Sequence, residues 1–259
     1  MLGIYAQNPL RFHRRGTDIK RAHKSYTSII GDAMFTKDYV KMQKEQISDF
    51  MKYVPAGERA LDLGAGKGFF NRIFRKKFKK IYALDLGLPS KVRKVRDRKR
   101  MKHTIEWESW FSKNDADVKI EFDLDSEAEY PFKADYFDFV FSGNVIEHLK
   151  NPKNFEKQIL RVLRPGGMAM IITPKRKCLV GVFDKYIYRG HYNGWDTDHK
   201  HLYQPDELAA EMEDAGFETM KKLSCGILFY YVPYISALGP LNMGLCVISK
   251  KPARKKSKN

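Results

Sequence analysis

The run Leu61-Asp62-Leu63-Gly64-Ala65-Gly66-Lys67-Gly68 sets glycines at alternate positions directly after a short apolar segment. Where a strand feeds a helix, such glycines let backbone N–H groups approach a ligand at the helix N-terminus. The spacing is GxGxG. It is neither the GxGxxG of a dinucleotide site nor the GK[ST] ending of a phosphate-binding loop. Asp85 closes a second apolar segment, Ile81–Leu84, 23 residues after Asp62. A carboxylate at such a strand end takes both hydroxyls of a ribose. Loop and carboxylate together predict a nucleoside-containing ligand.

Glu147 and His148 follow the apolar run Phe137–Phe141, and His191, His199 and His201 stand before the last helical segment. These types suit proton transfer: histidine titrates near neutrality, and a carboxylate can orient it. Each also has a structural reading. Glu147 favours a helix N-terminus, His148 fits as a packed polar residue, and a loop histidine is commonly just solvated.

The elements that must position these groups alternate. Tyr39, Met42, Ile47, Phe50, Met51 and Val54 form one helical stripe over 37–54, which Pro55-Ala56-Gly57 ends. Arg59–Leu63 reads as the first strand, followed by the glycine turn and a helix through Phe78. Ile81–Leu84 is the second strand, 90–102 a very polar helix, and Val118–Phe122 and Phe137–Phe141 are strands with the character of a buried parallel sheet. Phe155–Val162 is a helix ended by Pro165-Gly166-Gly167, and Met168–Ile172 is a strand stopped by Pro174. Gln204–Ala215 is a helix with Pro205 in its first turn and Leu208, Met212 and Ala215 inward. Glu218–Leu223 and Leu245–Ser249 are two last strands. Strand–helix alternation of this kind predicts a doubly wound α/β sheet. We expect one domain over 37–250, with substrate-side insertions at 175–203 and 224–244, a basic and aromatic arm over 1–36, and a disordered basic tail over 251–259.

The segments LDLGAGKG, ALD, FDL, FDFVFSGNVIEHL, LRVLRPGGMAMIITP and HLYQPDELAAEMEDAGF occur in this order. In that order they resemble the class I S-adenosylmethionine-dependent methyltransferases, closest to the branch of ubiquinone and menaquinone biosynthesis. The resemblance covers roughly 37–223. It implies a Rossmann-like, seven-stranded sheet with an antiparallel last strand, and S-adenosylmethionine as cofactor. It also implies site roles: Gly64, Ala65, Gly66 and Gly68 around the methionine part, Asp62 near its amino group, Asp85 and Leu86 at the ribose. Asp123 and Leu124 would flank the adenine, and Ser142 to Asn144 would close over the sulfonium. Glu147, His148 and His199 are the candidate catalytic residues. NVIEHL followed by DHKHLYQPDEL also resembles the 2′-O-methyltransferases of small-RNA 3′ ends, which bind a divalent metal through two Glu and two His. Glu147, His148 and His199 would match three of those ligands, but Asn144 stands where the first Glu belongs. The expectation is therefore no metal.

Charge and apolarity bear on the acceptor. The formal charge is +17, and three segments hold the surplus: 71–80 at +6, 91–102 at +7 and 250–258 at +6. That distribution suits a polyanion, an anionic membrane surface, or simply a solvated basic face. Ser224–Ser249 contains no charged residue and is long enough to cross a membrane, but Pro233, Gly239-Pro240 and Gly244 interrupt it. It is either an aromatic core insert or a surface for an apolar substrate or a bilayer. Three cysteines without a CxxC pair point to a reducing compartment, and the N-terminus lacks an apolar signal-peptide core. The expectation is a cytoplasmic protein, peripheral at a membrane surface where it meets one. The leading function is methyl transfer to a small, apolar or lipid-like acceptor. The alternatives are RNA methylation using the basic segments, and a noncatalytic S-adenosylmethionine-binding subunit.

Overall fold

In the computed structural model, residues 37–86, 111–178, 199–225 and 242–253 are described. The 1–36 arm, the polar helix expected over 90–102, His191, the 226–241 portion of the uncharged stretch and residues 254–259 lie outside them. Among the described residues no helix is long and apolar enough to cross a membrane.

Helix α1 (Lys37–Phe50) continues into a 3₁₀ turn (Met51–Tyr53) and buries Ile47, Phe50, Met51 and Val54. Strand β1 (Gly57–Leu63) leads into the glycine loop and a one-turn helix, α2 (Asn71–Phe74). The helix expected to reach Phe78 is thus much shorter, because β2 (Phe78–Asp85) already begins there. Gly57 N–H donates to Lys77 O and starts the β1–β2 pairing. β3 (Val118–Glu121), β4 (Phe137–Gly143), α3 (Pro152–Val162), β5 (Leu163–Pro174), α4 (Pro205–Asp214), β6 (Glu218–Cys225) and β7 (Gly244–Lys250) complete the order. The strands form one sheet in the order β3-β2-β1-β4-β5-β7-β6. All neighbours are parallel except β7, which is antiparallel to both β5 and β6.

Local chemistry explains the helices. Asn151 Oδ1 accepts from Asn154 N–H at the start of α3, with Pro152 at its first position; Phe155, Ile159 and Val162 then face the sheet. Gln204 and Glu207 form a capping box around Pro205 in α4, which buries Leu208, Ala209 and Met212. Ala215 is only partly buried.

Two strands differ from expectation. β3 sits at the edge of the sheet, so its residues alternate between half-buried and exposed rather than being wholly buried. β5 begins at Leu163, not after the Pro165-Gly166-Gly167 run. Gly166 N–H donates to Lys251 O and Lys251 N–H donates to Gly167 O, so the glycines belong to the ladder. Lys251 Nζ also reaches Asp135 Oδ1 and Leu163 O. Lys251 therefore extends the sheet and is no part of a disordered tail.

Between α3 and α4 the fold buries a carboxyl group. Glu156 is 1% exposed. Burial first, then Glu211 and Asp214, push its pKa up to about 8 against the pull of Lys153. A raised folded-state value contributes stability that is complete below the unfolded value of 4.5 and lost as pH climbs through 8. Wild-type protein should therefore lose melting temperature between pH 5 and pH 8 relative to Glu156→Gln, whose amide stays neutral. A constant offset between the two curves would refute this.

Candidate functional site

The parallel strands all aim their carboxyl ends at one edge, and every predicted site residue in the described part of the chain lies at or just beyond it. The glycine loop leaves β1 there. Gly64, Gly66 and Gly68 have φ of 72°, 48° and 72°, in the region that excludes most side chains. The reasons for glycine differ along the loop. A Cβ on Gly64 would stand 2.2 Å from Val145 Cγ2, and one on Gly68 would stand 2.4 Å from Asn71 Nδ2. At Gly66, which is buried, nothing among the described residues lies within 4 Å of such a Cβ. Gly64 and Gly68 are thus closed on their Cβ side by the protein's own packing, and Gly66 is not closed there by the described residues.

Asp85, at the end of β2, accepts a hydrogen bond from Gly66 N–H at 2.8 Å through Oδ2. Asn114 Nδ2 donates to Gly66 O at 3.0 Å, and Asn114 Oδ1 accepts from Asn71 Nδ2 at 2.8 Å. The loop is thus gripped from both faces. Asn71 and Asn114 escaped the sequence reading because no spacing rule joins residues 43 apart on a turn and a loop. Asp62 is 2% and Asp85 3% exposed. Burial, and secondarily the Asp85 charge, hold the Asp62 carboxyl well above the usual carboxylate range. Two buried acids on neighbouring strands make a field that favours a cation or several hydroxyl donors.

The other predicted positions fall around this pair. Ala65 is buried and Leu86 half-buried beside the loop. Asp123 is half-buried and its Oδ1 accepts from Asp125 N–H. Leu124 is buried in the main core cluster, so it presents no open side chain there. Ser142, paired with Leu63 and Ile171, is 1% exposed, and its Oγ has no hydrogen-bond partner among the described residues. Asn144 takes φ 55° and donates its N–H to Ile172 O.

Glu147 and His148 lie in a buried 3₁₀ turn (Ile146–His148) just past β4, not at an α-helix N-terminus. Glu147 Oε2 accepts from Thr173 Oγ1 at 2.9 Å, which fixes the carboxylate against β5. Chain far along the sequence meets it: Lys200 N–H and His201 N–H donate to Glu147 O, and Lys200 Nζ donates to His148 O. This strap seats His199 with Nε2 4.0 Å from Glu147 Oε1 and its ring 4.7 Å from that of His148. Ligand atoms of Glu147, His148 and His199 all lie within 4.8 Å of one another, a grouping found nowhere else among the described residues. His201 is turned toward Tyr203 and outside the group.

The basic segment 71–80 does not form the helical platform expected of it. Arg75 pairs with Asp117, Lys79 with Glu58, and Lys77 Nζ donates to Met51 O and Val54 O. Lys79 and Lys80 line an open depression with Glu58, Arg59, Tyr82, Asp117 and Tyr136, at the opposite, amino-terminal edge of the sheet.

A family model described as a methyltransferase domain matches residues 39–222. The ubiquinone biosynthesis O-methyltransferase of Xanthomonas axonopodis pv. citri is 30% identical over 169 residues, 63% of this chain and 64% of that protein. The chain thus spans just under two thirds of that relative's length. Among solved structures, a chain from the complex of the Haloferax volcanii Trm112 methyltransferase activator with a methyltransferase superposes with a TM-score of 0.57 at 16% identity, covering 90% of this chain and 98% of that one. A SAM-dependent methyltransferase from Archaeoglobus fulgidus gives 0.54 at 15% identity, covering 84% and 98%.

The different reasons for glycine predict different costs. Gly64→Ala combines left-handed strain with a clash against Val145 and should destabilise by about 3 kcal/mol. Gly66→Ala, with strain alone, should cost about 1 kcal/mol. Urea denaturation of both variants checks the order, and equal costs would contradict the packing at Val145.

Proposed function

The chain belongs to the methyltransferase-domain family, and we propose that it transfers a methyl group from S-adenosylmethionine to a hydroxyl of a small, apolar or lipid-like acceptor. One observation supports the donor half of this reading: two buried acids at neighbouring strand ends flank the glycine loop, and one of them, Asp85, accepts from Gly66 N–H. Those residues fit the cofactor. Gly64, Ala65, Gly66 and Gly68 would hold the methionine part, Asp62 its amino group, and Asp85 with Leu86 the ribose. Asp123 and the backbone at Leu124 would meet the adenine. Ser142 Oγ, a buried hydroxyl with no partner among the described residues, and Asn144 would lie on the sulfonium side.

Bound S-adenosylmethionine supplies a methyl group on a sulfonium, a leaving group that needs no protonation. Holding the acceptor in line is then worth several kcal/mol by itself. A hydroxyl must still lose its proton. His199 would take it, with His148 beside it and Glu147, buried like His199 itself, behind to stabilise the imidazolium. Thr173 keeps that carboxylate aimed. The new O–C bond forms as the C–S bond breaks, and the proton rests on imidazole.

The name of the Xanthomonas relative supports an oxygen nucleophile on an apolar acceptor. The local pairing of Arg75, Lys77 and Lys79 weighs against an RNA platform over 71–80. The glycine loop with its two buried acids, and the meeting of Glu147, His148 and His199, weigh against a noncatalytic subunit.

Labelled methyl from S-adenosylmethionine, incubated with fractionated extract, should enter the organic-soluble pool. Gly66→Arg, which puts a long side chain at a buried, left-handed position of the loop, should give a blank and no cofactor binding. Label released by nuclease would replace the lipid-like acceptor with RNA. His199→Ala should lower kcat roughly 10²–10⁴-fold at unchanged cofactor affinity. Activity should persist in EDTA. Loss in EDTA with recovery on Mn²⁺ would reassign Glu147, His148 and His199 to a metal.

A further inference from the structure

The amino-terminal edge of the sheet, opposite the glycine loop, carries an open depression of about 480 Å³. Arg59 on β1 pairs directly with Lys80 on β2, and Tyr82 follows Lys80 by two residues. Side chains of a strand alternate between faces, so these three share one face of the sheet. Tyr136, just ahead of β4, completes it. The glycine loop leaves β1 after Leu63, about 13 Å further along the strand from Arg59. A ligand held here therefore touches neither the donor site nor the proton-transfer group.

The charged groups of the depression divide by whether the protein already uses them. Glu58 is paired with Lys79 at 2.7 Å. Both Asp117 oxygens are taken: Oδ1 accepts from Arg75, and Oδ2 accepts from Arg75 and from Ile81 N–H. The two acids are thus spent on partners of their own. Arg59 is held in place by a ring instead. Its guanidinium lies over Tyr136, 4.3 Å from the centroid, and makes a 3.4 Å contact with Tyr136 O. Most of its five N–H donors are left for a ligand. Lys80 Nζ stands 5.3 Å from the centroid of the Tyr82 ring. Neither cation forms an ion pair among the described residues. The Tyr82 and Tyr136 hydroxyl oxygens lie 2.8 Å apart. Two phenols joined by one hydrogen bond use one of their two protons, and the other remains to be donated. Tyr82 is 6% exposed and Tyr136 half-buried, so the outward hydroxyl is that of Tyr136. The Tyr82 hydroxyl first, and against burial Arg59, Lys80 and Lys133, hold the Tyr136 phenol below its usual range. The field at that oxygen is positive.

We propose that this depression binds the phosphate group of a small soluble anion, with Arg59, Lys80 and the Tyr136 hydroxyl as its donors. Donors on three separate side chains call for three acceptor oxygens, which a terminal phosphate offers and a carboxylate does not. A planar guanidinium fork also suits phosphate. A nucleobase has no platform here. Arg59 lies over the Tyr136 ring, and Phe132, Tyr136 and Phe137 pack edge to face against Tyr82. A bilayer finds nothing to take up, since no aliphatic side chain among the described residues lines the depression. The depression holds such an anion whether or not the carboxyl edge transfers a methyl group.

Calorimetry on the full chain at fixed ionic strength, with inorganic pyrophosphate and with glycerol 3-phosphate, tests the site. Wild-type protein should bind at least one of these probes, once per chain. Lys80→Gln and Arg59→Gln should each weaken that binding about tenfold, and Tyr136→Phe about threefold. Lys157→Gln removes the same charge from an exposed position on α3 and should leave it within twofold. Lys80 is exposed, so its variant keeps the test decisive should Arg59→Gln disturb the stack on Tyr136. The tighter probe tells whether the occupant is an inorganic anion or a phosphomonoester, and either order supports the site. Binding of neither probe, an equal loss in Lys157→Gln, or affinity that survives in both Lys80→Gln and Arg59→Gln overturns it. So does a twelve-nucleotide single-stranded RNA that displaces the probe at a lower concentration of phosphate groups, because the occupant is then a nucleic-acid backbone.

Discussion

The hydrogen bond from Gly66 N–H to Asp85 Oδ2 joins two strand ends that carry the two buried acids, Asp62 and Asp85. Burial, and then the Asp85 charge, hold the Asp62 carboxyl well above the usual carboxylate range, and neither acid reaches water to dissipate the field. The loop backbone absorbs part of that field through an oriented N–H. Asn114 grips the same peptide from its carbonyl side, and Val145 closes the space above Gly64. The loop is consequently held at Gly66 on both sides of its peptide before any ligand arrives. Preorganisation of this kind lowers the ordering cost of binding.

The second half of the edge depends on register. Because Ser142 pairs with Ile171 and Gly143 with Ile172, the turn after β4 is delivered opposite Thr173. That residue ties down Glu147, and the carbonyl of Glu147 then accepts two N–H groups from the strap at Lys200 and His201. A slip of one residue would turn Thr173 to the opposite face and leave Glu147 buried without this donor. Proton-transfer residues from sequence-distant segments are thus held by one strand pairing.

Much of the fold was legible. Short runs between turn residues located all seven strands of the described sheet, though the β6 run is largely polar, and Pro205 marked the first turn of α4. The antiparallel last strand came from the family resemblance, since no periodicity distinguishes strand directions. The misread elements share a cause. The basic run 71–80 has high helix propensity, but Phe78 is needed against Phe139, so the chain enters β2 early. The Pro165-Gly166-Gly167 run has turn chemistry, yet pairing with Lys251 carries it into β5. Tertiary pairing overrode local preference in both places.

By itself the sequence determined the glycine loop, its acidic partner and the alternation that sends every parallel strand to one edge, because these are written in neighbouring residues and in period. It grouped Glu147, His148 and His199 only through a resemblance to a family's ligand set, with no spacing of its own to join them. Tertiary structure alone decided that these three meet, that Asn71 and Asn114 clamp the loop, and that Arg59 stacks on Tyr136. Each of those contacts joins residues tens of positions apart. Their distance is set by strand order and register, which depend on the whole sheet closing at once and on no local spacing.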